Sequence, residues 1–195
     1  MSTLKVNAIR HTGASSDAIT LANDGTCTAK ITDSLSNRNL IINGAMTVAQ
    51  RGTSVTTGTG NFNKYTLDRW NVGTHQTDQL NLTVTQEPIG TALPGFASYL
   101  KVSPNVAETS LASDEYTYVK YSIEAQDIQH LAYGTSSAKS LTLSFWVKSN
   151  TTGTACISFE KNDTPLYYIT RTYTINAADT WEKKVVTIPG LTASV

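Results

Sequence analysis

The chain has 195 residues, 15 Lys+Arg against 15 Asp+Glu, a formal net charge of zero, and only 15% charged residues. Its longest basic run, Lys183-Lys184, is too short for a phosphate-tracking stripe, which argues against nucleic acid as a partner, and no apolar run approaches membrane-span length. Threonine is about one residue in six, among many Ser, Asn and Gly; Thr suits a pleated surface and the others populate turns, so the composition is that of an all-β protein.

The opening "MSTLKVNAIR" lacks the apolar stretch of a secretion signal, so export by that route is not expected. Residues 1–36 hold two short alternating segments, "LKVNAI" and "AITLAN", set between the polar stretches "RHTGASSD" and "DGTCTAKI". Leu4, Val6 and Ile9, then Ile19 and Leu21, place two or three apolar side chains on one side of each segment, too few for an independent core. Such a leader becomes stable by pairing with copies of itself or by docking on something larger; a flexible tail is the alternative.

Residues 37–195 have the pattern of a domain. "NLIINGAMTVAQRG" is expected to hold one or two strands broken at Asn43-Gly44, and "SVTTGTGNFN" to be a polar loop. Strands are expected in "YTLDRWNVGT", "QLNLTVTQE", "ASYLKVSP" and "YTYVKYSIEA", then a turn or short helical piece around "QDIQHLAYGTSSA". Four more follow in "LTLSFWVKSN", "TACISFEK", "PLYYITRTYTI" and "WEKKVVTIPG". This spacing of turn signals suits an antiparallel β-sandwich rather than βαβ units. The sequence stops at "GLTASV", just after a strong strand, so the sandwich is expected to be cut short at its C-terminal end.

Residues able to do chemistry are sparse. His11, His75 and His130 have no metal-type spacing to one another or to Cys27 and Cys156, which read as two reduced thiols. No Gly-x-Ser-x-Gly occurs, and "TGTGNF" lacks the lysine and helix context of a phosphate loop. Glu124 and Asp127, three apart, would face opposite sides of a continuous strand, while Asp114 and Glu115 are adjacent in an expected loop; solvated charge explains them better than a glycosidase pair. Neither enzymatic activity, a cofactor nor a metal is expected. In Asp68-Arg69-Trp70 the tryptophan reads as a core anchor with a polar strand edge beside it, and Trp181 as a rim residue next to a turn at Asp179.

"LTLSFWV" raises a sharper question. Leu141, Leu143, Phe145 and Val147 share one parity, but Trp146 sits with Thr142, Ser144 and Lys148 on the polar side. In "YTYVKYSIEA", Val119, Tyr121 and Ile123 take the core side, leaving Tyr118, Lys120, Ser122 and Glu124 outside; in "LYYITRTYTI", Tyr168 or the Tyr167–Tyr173 set could join them. Trp146, Tyr118, Lys120, Glu124, Lys148 and Tyr168 would form a face on which an aromatic ring stacks against a sugar and polar neighbours take its hydroxyls. The other reading is packing under a loop or against a neighbouring subunit.

Three stretches together carry a resemblance: "NLIINGAMTVAQRGT" followed by "YTLDRW"; then "YSIEAQDI", "LTLSFWVKSNTTGT" and "YTINAADTWEKKVVTIPG" in that order; and the leader "MSTLKVNAI" with "AITLAND". They resemble bacteriophage tail fibre proteins of the marine and cyanophage type. The resemblance implies an all-β fold, a jelly-roll sandwich like that of carbohydrate-binding modules, preceded by an extended β-rich leader. It also implies a homotrimer, assembled in the host cytoplasm and carried on the virion, whose leader (Leu4, Val6, Ile9, Ile19, Leu21) meets other tail proteins while distal parts meet the host surface and its glycans. A carbohydrate-binding module of a secreted enzyme, and a capsid or tail adaptor binding only virion proteins, are the competing readings.

Overall fold

The computed structural model describes residues 6–29, 39–106, 109–110, 112–161 and 166–192; Leu4 therefore lies outside the described residues. The chain divides into two compact units, Met1–Asn39 and Leu40–Val195.

The first unit is a three-stranded antiparallel sheet of β1 (Ala8–Ile9), β2 (Ile19–Leu21) and β3 (Cys27–Ala29). The β2–β3 turn is fixed by its own residues: the Asp24 carboxylate accepts from the Thr26 amide and hydroxyl at 2.9 and 2.7 Å, beside Gly25 at φ +86°. Ile9 pairs with Ile19 and Leu21 with Cys27, so the four share one face. Little covers that face, for Ile9 is 53% and Leu21 40% exposed.

The second unit is all-β and antiparallel apart from a 3₁₀ turn at Ala125–Leu131. Among the described residues it has four sheets. The first is β4 (Ser54–Thr56), β7 (Asn81–Pro88) and β8 (Ser98–Val106), with β7 central. The second is β5 (Gly60–Tyr65), β6 (Trp70–Thr77) and β9 (Tyr116–Tyr121), with β6 central. β10 (Leu141–Val147) pairs with β13 (Glu182–Ile188), and β11 (Gly153–Lys161) with β12 (Tyr167–Ile175).

These ladders stack face to face as a sandwich. Val55 and Val84 from the first meet Val72 from the second, flanked by Phe62 and Leu100. The apolar parity of β10 does the same against β12, where the Phe145 and Tyr173 rings meet edge-on at 5.2 Å; Val186, Ile188 and Ile175 are buried in this part. Val119 has the core-facing parity, paired with the fully buried Val72, but is itself 40% exposed. β9 is an edge strand of its sheet, and among the described residues no further strand pairs beyond it.

The chain between Leu40 and Gly52 departs from expectation: it carries turns and no strand. Asn43 explains why. At φ 57° it cannot continue a strand, and its amide oxygen accepts from the Thr47 and Val48 amides while its nitrogen donates to the Val48 and Asp68 carbonyls. One side chain thus satisfies backbone groups that a ladder would otherwise take. "SVTTGTGNFN" is likewise not a loop throughout, since it contains β4 and the start of β5. Its threonines pack and bond across strands, Thr56 Oγ1 lying 3.0 Å from Thr83 Oγ1 and the Thr57 hydroxyl accepting from the Leu82 amide. "YTLDRWNVGT" is split: Tyr65 ends β5, Arg69 at φ 74° makes the turn, and Trp70 opens β6.

Candidate functional site

The expected outer face resolves into two separate patches. On β10–β13, Trp146 pairs with Lys183 on the outward parity and is 40% exposed, beside Ser144 and Val185. Lys148 continues that parity, its ammonium 5.7 Å from the ring centre of Trp181, and Tyr99 meets the same ring edge-on at 5.2 Å. Asp179, at φ 54°, makes the expected turn just before Trp181, its amide donating to the Ser149 carbonyl.

The other patch lies on the outward face of β5-β6-β9. Register puts Tyr65 opposite Asn71 and Asn63 opposite Gly73 on one side of β6; on the other side it puts Lys120 opposite Asn71, Tyr118 opposite Gly73 and Tyr116 opposite His75. Gly73 is what lets Tyr118 lie down here: a Cβ at that position would fall 2.2 Å from the ring's Cζ. The phenol oxygen accepts from Asn63 Nδ2 at 2.9 Å, and Asn63 Oδ1 in turn accepts from Asn71 Nδ2 at 2.6 Å. His75 and Tyr116 stack with centroids 4.7 Å apart and planes 13° from parallel, and Tyr118 follows 6.1 Å from Tyr116. His75 Nδ1 lies 2.9 Å from the Asp114 carbonyl oxygen. A carbonyl only accepts, so Nδ1 carries the proton and Nε2 is left as an acceptor in the neutral ring. Together Asn61, Asn63, His75, Tyr116, Tyr118 and their neighbours line a shallow cleft of about 210 Å³. A second opening, of about 320 Å³, lies along β4 and β5, where the Arg51 guanidinium stands 5.3 Å over the Tyr65 ring.

The remaining expected residues distribute accordingly. Tyr118 and Lys120 belong to the β9 face, and Lys120 reaches Glu160 of β11 at 3.4 Å, whose register partner is Tyr168. Glu124, past the end of β9, is held by Arg69 at 3.2 Å and by the Gln126 side-chain Nε2, which donates to it at 2.8 Å. The Arg69 guanidinium also sits 5.9 Å from the Tyr121 ring centre, and hydrogen bonding to Tyr121 and then to Glu124 raises its already high pKa. Trp70 is half-buried, tilted against Tyr121 at 5.2 Å, and donates its indole N–H to the Asn43 carbonyl. Glu115, expected as solvated charge, is instead buried, and its carboxylate accepts from the Ala112 and Asp78 amides. Among the described residues no three His, Cys, Asp or Glu side chains gather as metal ligands would.

His75, Tyr116, Asn63 and Gly73 were absent from the sequence-derived face. The signal was present, since Tyr116-x-Tyr118 alternates as cleanly as Phe145-x-Val147, but no periodicity reveals which strand lies beside β9. Comparison with protein-family models, with curated proteins and with solved structures finds no match.

Proposed function

We propose that the chain is a non-enzymatic virion structural protein, a bacteriophage tail fibre that works as a homotrimer. Its N-terminal unit attaches to other tail proteins, and its jelly-roll-type sandwich supports adhesion to the host cell surface. The ordered motifs of the sequence support this reading. The structural observation that carries it is the β1-β2-β3 sheet, whose Ile9 and Leu21 stand exposed at 53% and 40% on one face. A sheet this small holds its apolar residues out of water only against a partner. Threefold association would supply that partner and shield the strand edges, and weak contacts repeated on three chains would add up to firm attachment through high effective concentration.

Light scattering on a sizing column tests this directly. A molar mass of three chains is expected; a mass of one chain would sink the homotrimer.

The aromatic outer faces favour a second reading, a carbohydrate-binding module that works as a monomer. The two readings separate on deletion of residues 1–36. A free module keeps both its fold and its sugar binding, whereas a fibre loses its tail attachment.

A further inference from the structure

We propose that the cleft on the outward face of β5-β6-β9 binds a single neutral pyranose ring, with the Tyr116–His75 pair as its wall and Tyr118 as its floor. The inference rests on the adhesive part of the reading above, and gives it a site and a ligand class at residues other than Trp146.

Size and shape come first. An open cleft of about 210 Å³ holds one sugar ring and leaves the rest of a glycan in solvent. Its floor is formed by the Tyr118 ring over Gly73, and its wall by the stacked Tyr116 and His75 rings. Tyr116 is 52% exposed, so a large part of an aromatic surface stands open to solvent. The C–H face of a pyranose is the apolar surface that such rings take up, and two-χ aromatic side chains lose little entropy in doing so.

The polar groups around these rings are placed for hydroxyls. The Tyr118 oxygen accepts from Asn63, which leaves its own proton free to donate outward. His75 Nδ1 is committed to the Asp114 carbonyl, leaving Nε2 as an acceptor. Asn61 Oδ1 accepts from the Gln76 amide, so its NH₂ group is left to donate. The lining thus offers both donors and acceptors, as vicinal hydroxyls, each both donor and acceptor, require.

The charge of the lining selects among sugars. Its residues are Asn61, Phe62, Asn63, Thr74, His75, Tyr116 and Tyr118, with no Lys, Arg, Asp or Glu among them. Lys120, the nearest cation along β9, is paired with Glu160. A carboxylated or phosphorylated sugar finds no fixed counter-charge in this cleft, and a neutral one needs none.

Partly buried hydrogen bonds tie down the support beneath the cleft. The buried Glu115 carboxylate binds the amides of Ala112 and Asp78, fixing the loop that carries the Asp114 carbonyl to His75. A wall held this way loses little freedom when a ligand arrives. A purely structural account, in which Tyr118 covers Gly73 and the ring pair strengthens the sheet, predicts no binding, so the two are separable.

The test is an NMR titration of the 195-residue chain with methyl α-D-mannopyranoside, methyl β-D-glucopyranoside, methyl β-D-galactopyranoside and N-acetylneuraminic acid. At least one neutral glycoside is expected to saturate, with amide shifts centred on Gly73, His75, Tyr116 and Tyr118. Tyr116→Ala and His75→Ala should each weaken it by roughly tenfold, the scale of a lost aromatic contact, while Trp146→Ala leaves it unchanged. Tyr118→Phe keeps the ring over Gly73 and should fold normally yet bind several-fold more weakly. Should Tyr116→Ala fail to fold, the wild-type shift map and Tyr118→Phe decide. Absence of saturation by every neutral glycoside, preference for N-acetylneuraminic acid, shifts centred on β10–β13, or affinity unchanged in the cleft variants would each overturn the proposal. A monomeric chain that binds a neutral glycoside here would overturn the homotrimer and leave the site standing.

Discussion

Gly73 shows how much one missing methyl group can decide. It lies in the middle of β6 with no unusual φ, so its value is the absence of a Cβ rather than backbone freedom. A methyl group there would overlap the far end of the Tyr118 ring, which is the mobile end of that side chain. The ring can swing away, but it then loses its cover over the strand and the hydrogen bond from Asn63 at 2.9 Å. Gly73→Ala is therefore expected to destabilise by only about 1 kcal/mol, at the low end of overpacking costs, as a small drop in thermal midpoint. Tyr118→Ala in the same background should cost little more, because the ring has already been displaced; full additivity of the two changes would contradict this contact. The outward parity of Tyr118 and Lys120 was legible in the sequence, as was that of Trp146. The grouping was not. Strand alternation assigns a face, but the neighbours on that face come from register with distant strands, which brings His75 to Tyr116 and sends Trp146 to Lys183. The spacing of His75 to other metal-type residues says nothing of its aromatic partner across the ladder, Tyr116.

Among the elements, the strands most easily read were those with strict alternation and apolar cores, such as β10 and β13. The segment from Leu40 to Gly52 looks like strand sequence in "LII" and "MTV", whereas the Asn43 network that makes it a turn region is set by partners as distant as Asp68. The β12–β13 connection illustrates a local device. Glu182 accepts from the Asn176 and Ala177 amides at 2.8 and 2.9 Å and from the Asn176 side chain, with Lys184 beside it. The Lys184 ammonium first, and then these hydrogen bonds, hold its carboxyl down to about 2 against the ordinary 4.5. A folded-state value below the unfolded one means that the contribution is complete above about pH 4.5 and fades as pH falls towards 2. Wild type should therefore melt above Glu182→Gln at pH 6, and the gap should close progressively between pH 4.5 and 2. A gap that stays constant over that range would refute the assignment, since other carboxylates titrate alike in both proteins.

At the scale of the whole molecule, the two compact units pose different energetic problems. Residues 40–195 bury a core in which Val72 is fully enclosed with Val55 and Val84. Its stability therefore belongs to the single chain, and Val72→Ala should cost about 2–3 kcal/mol by lost transfer and cavity. Among its described residues the first unit has a three-stranded sheet alone, with strands of two to three residues and an apolar face open to solvent. That scale of structure is marginal alone, so a homotrimeric fibre would place its association energy there. The prediction is a crossed pair of variants. Ile9→Asp combined with Leu21→Asp should leave the main thermal transition in place but reduce the light-scattering mass from three chains to one, because charge on that face costs far more when buried between subunits than in water. Val72→Ala should do the reverse, lowering the transition while the mass remains that of three chains. If the aspartate variant stays trimeric, association resides in residues 40–195, and the uncovered apolar side chain of Val119 on β9 becomes the surface to substitute next.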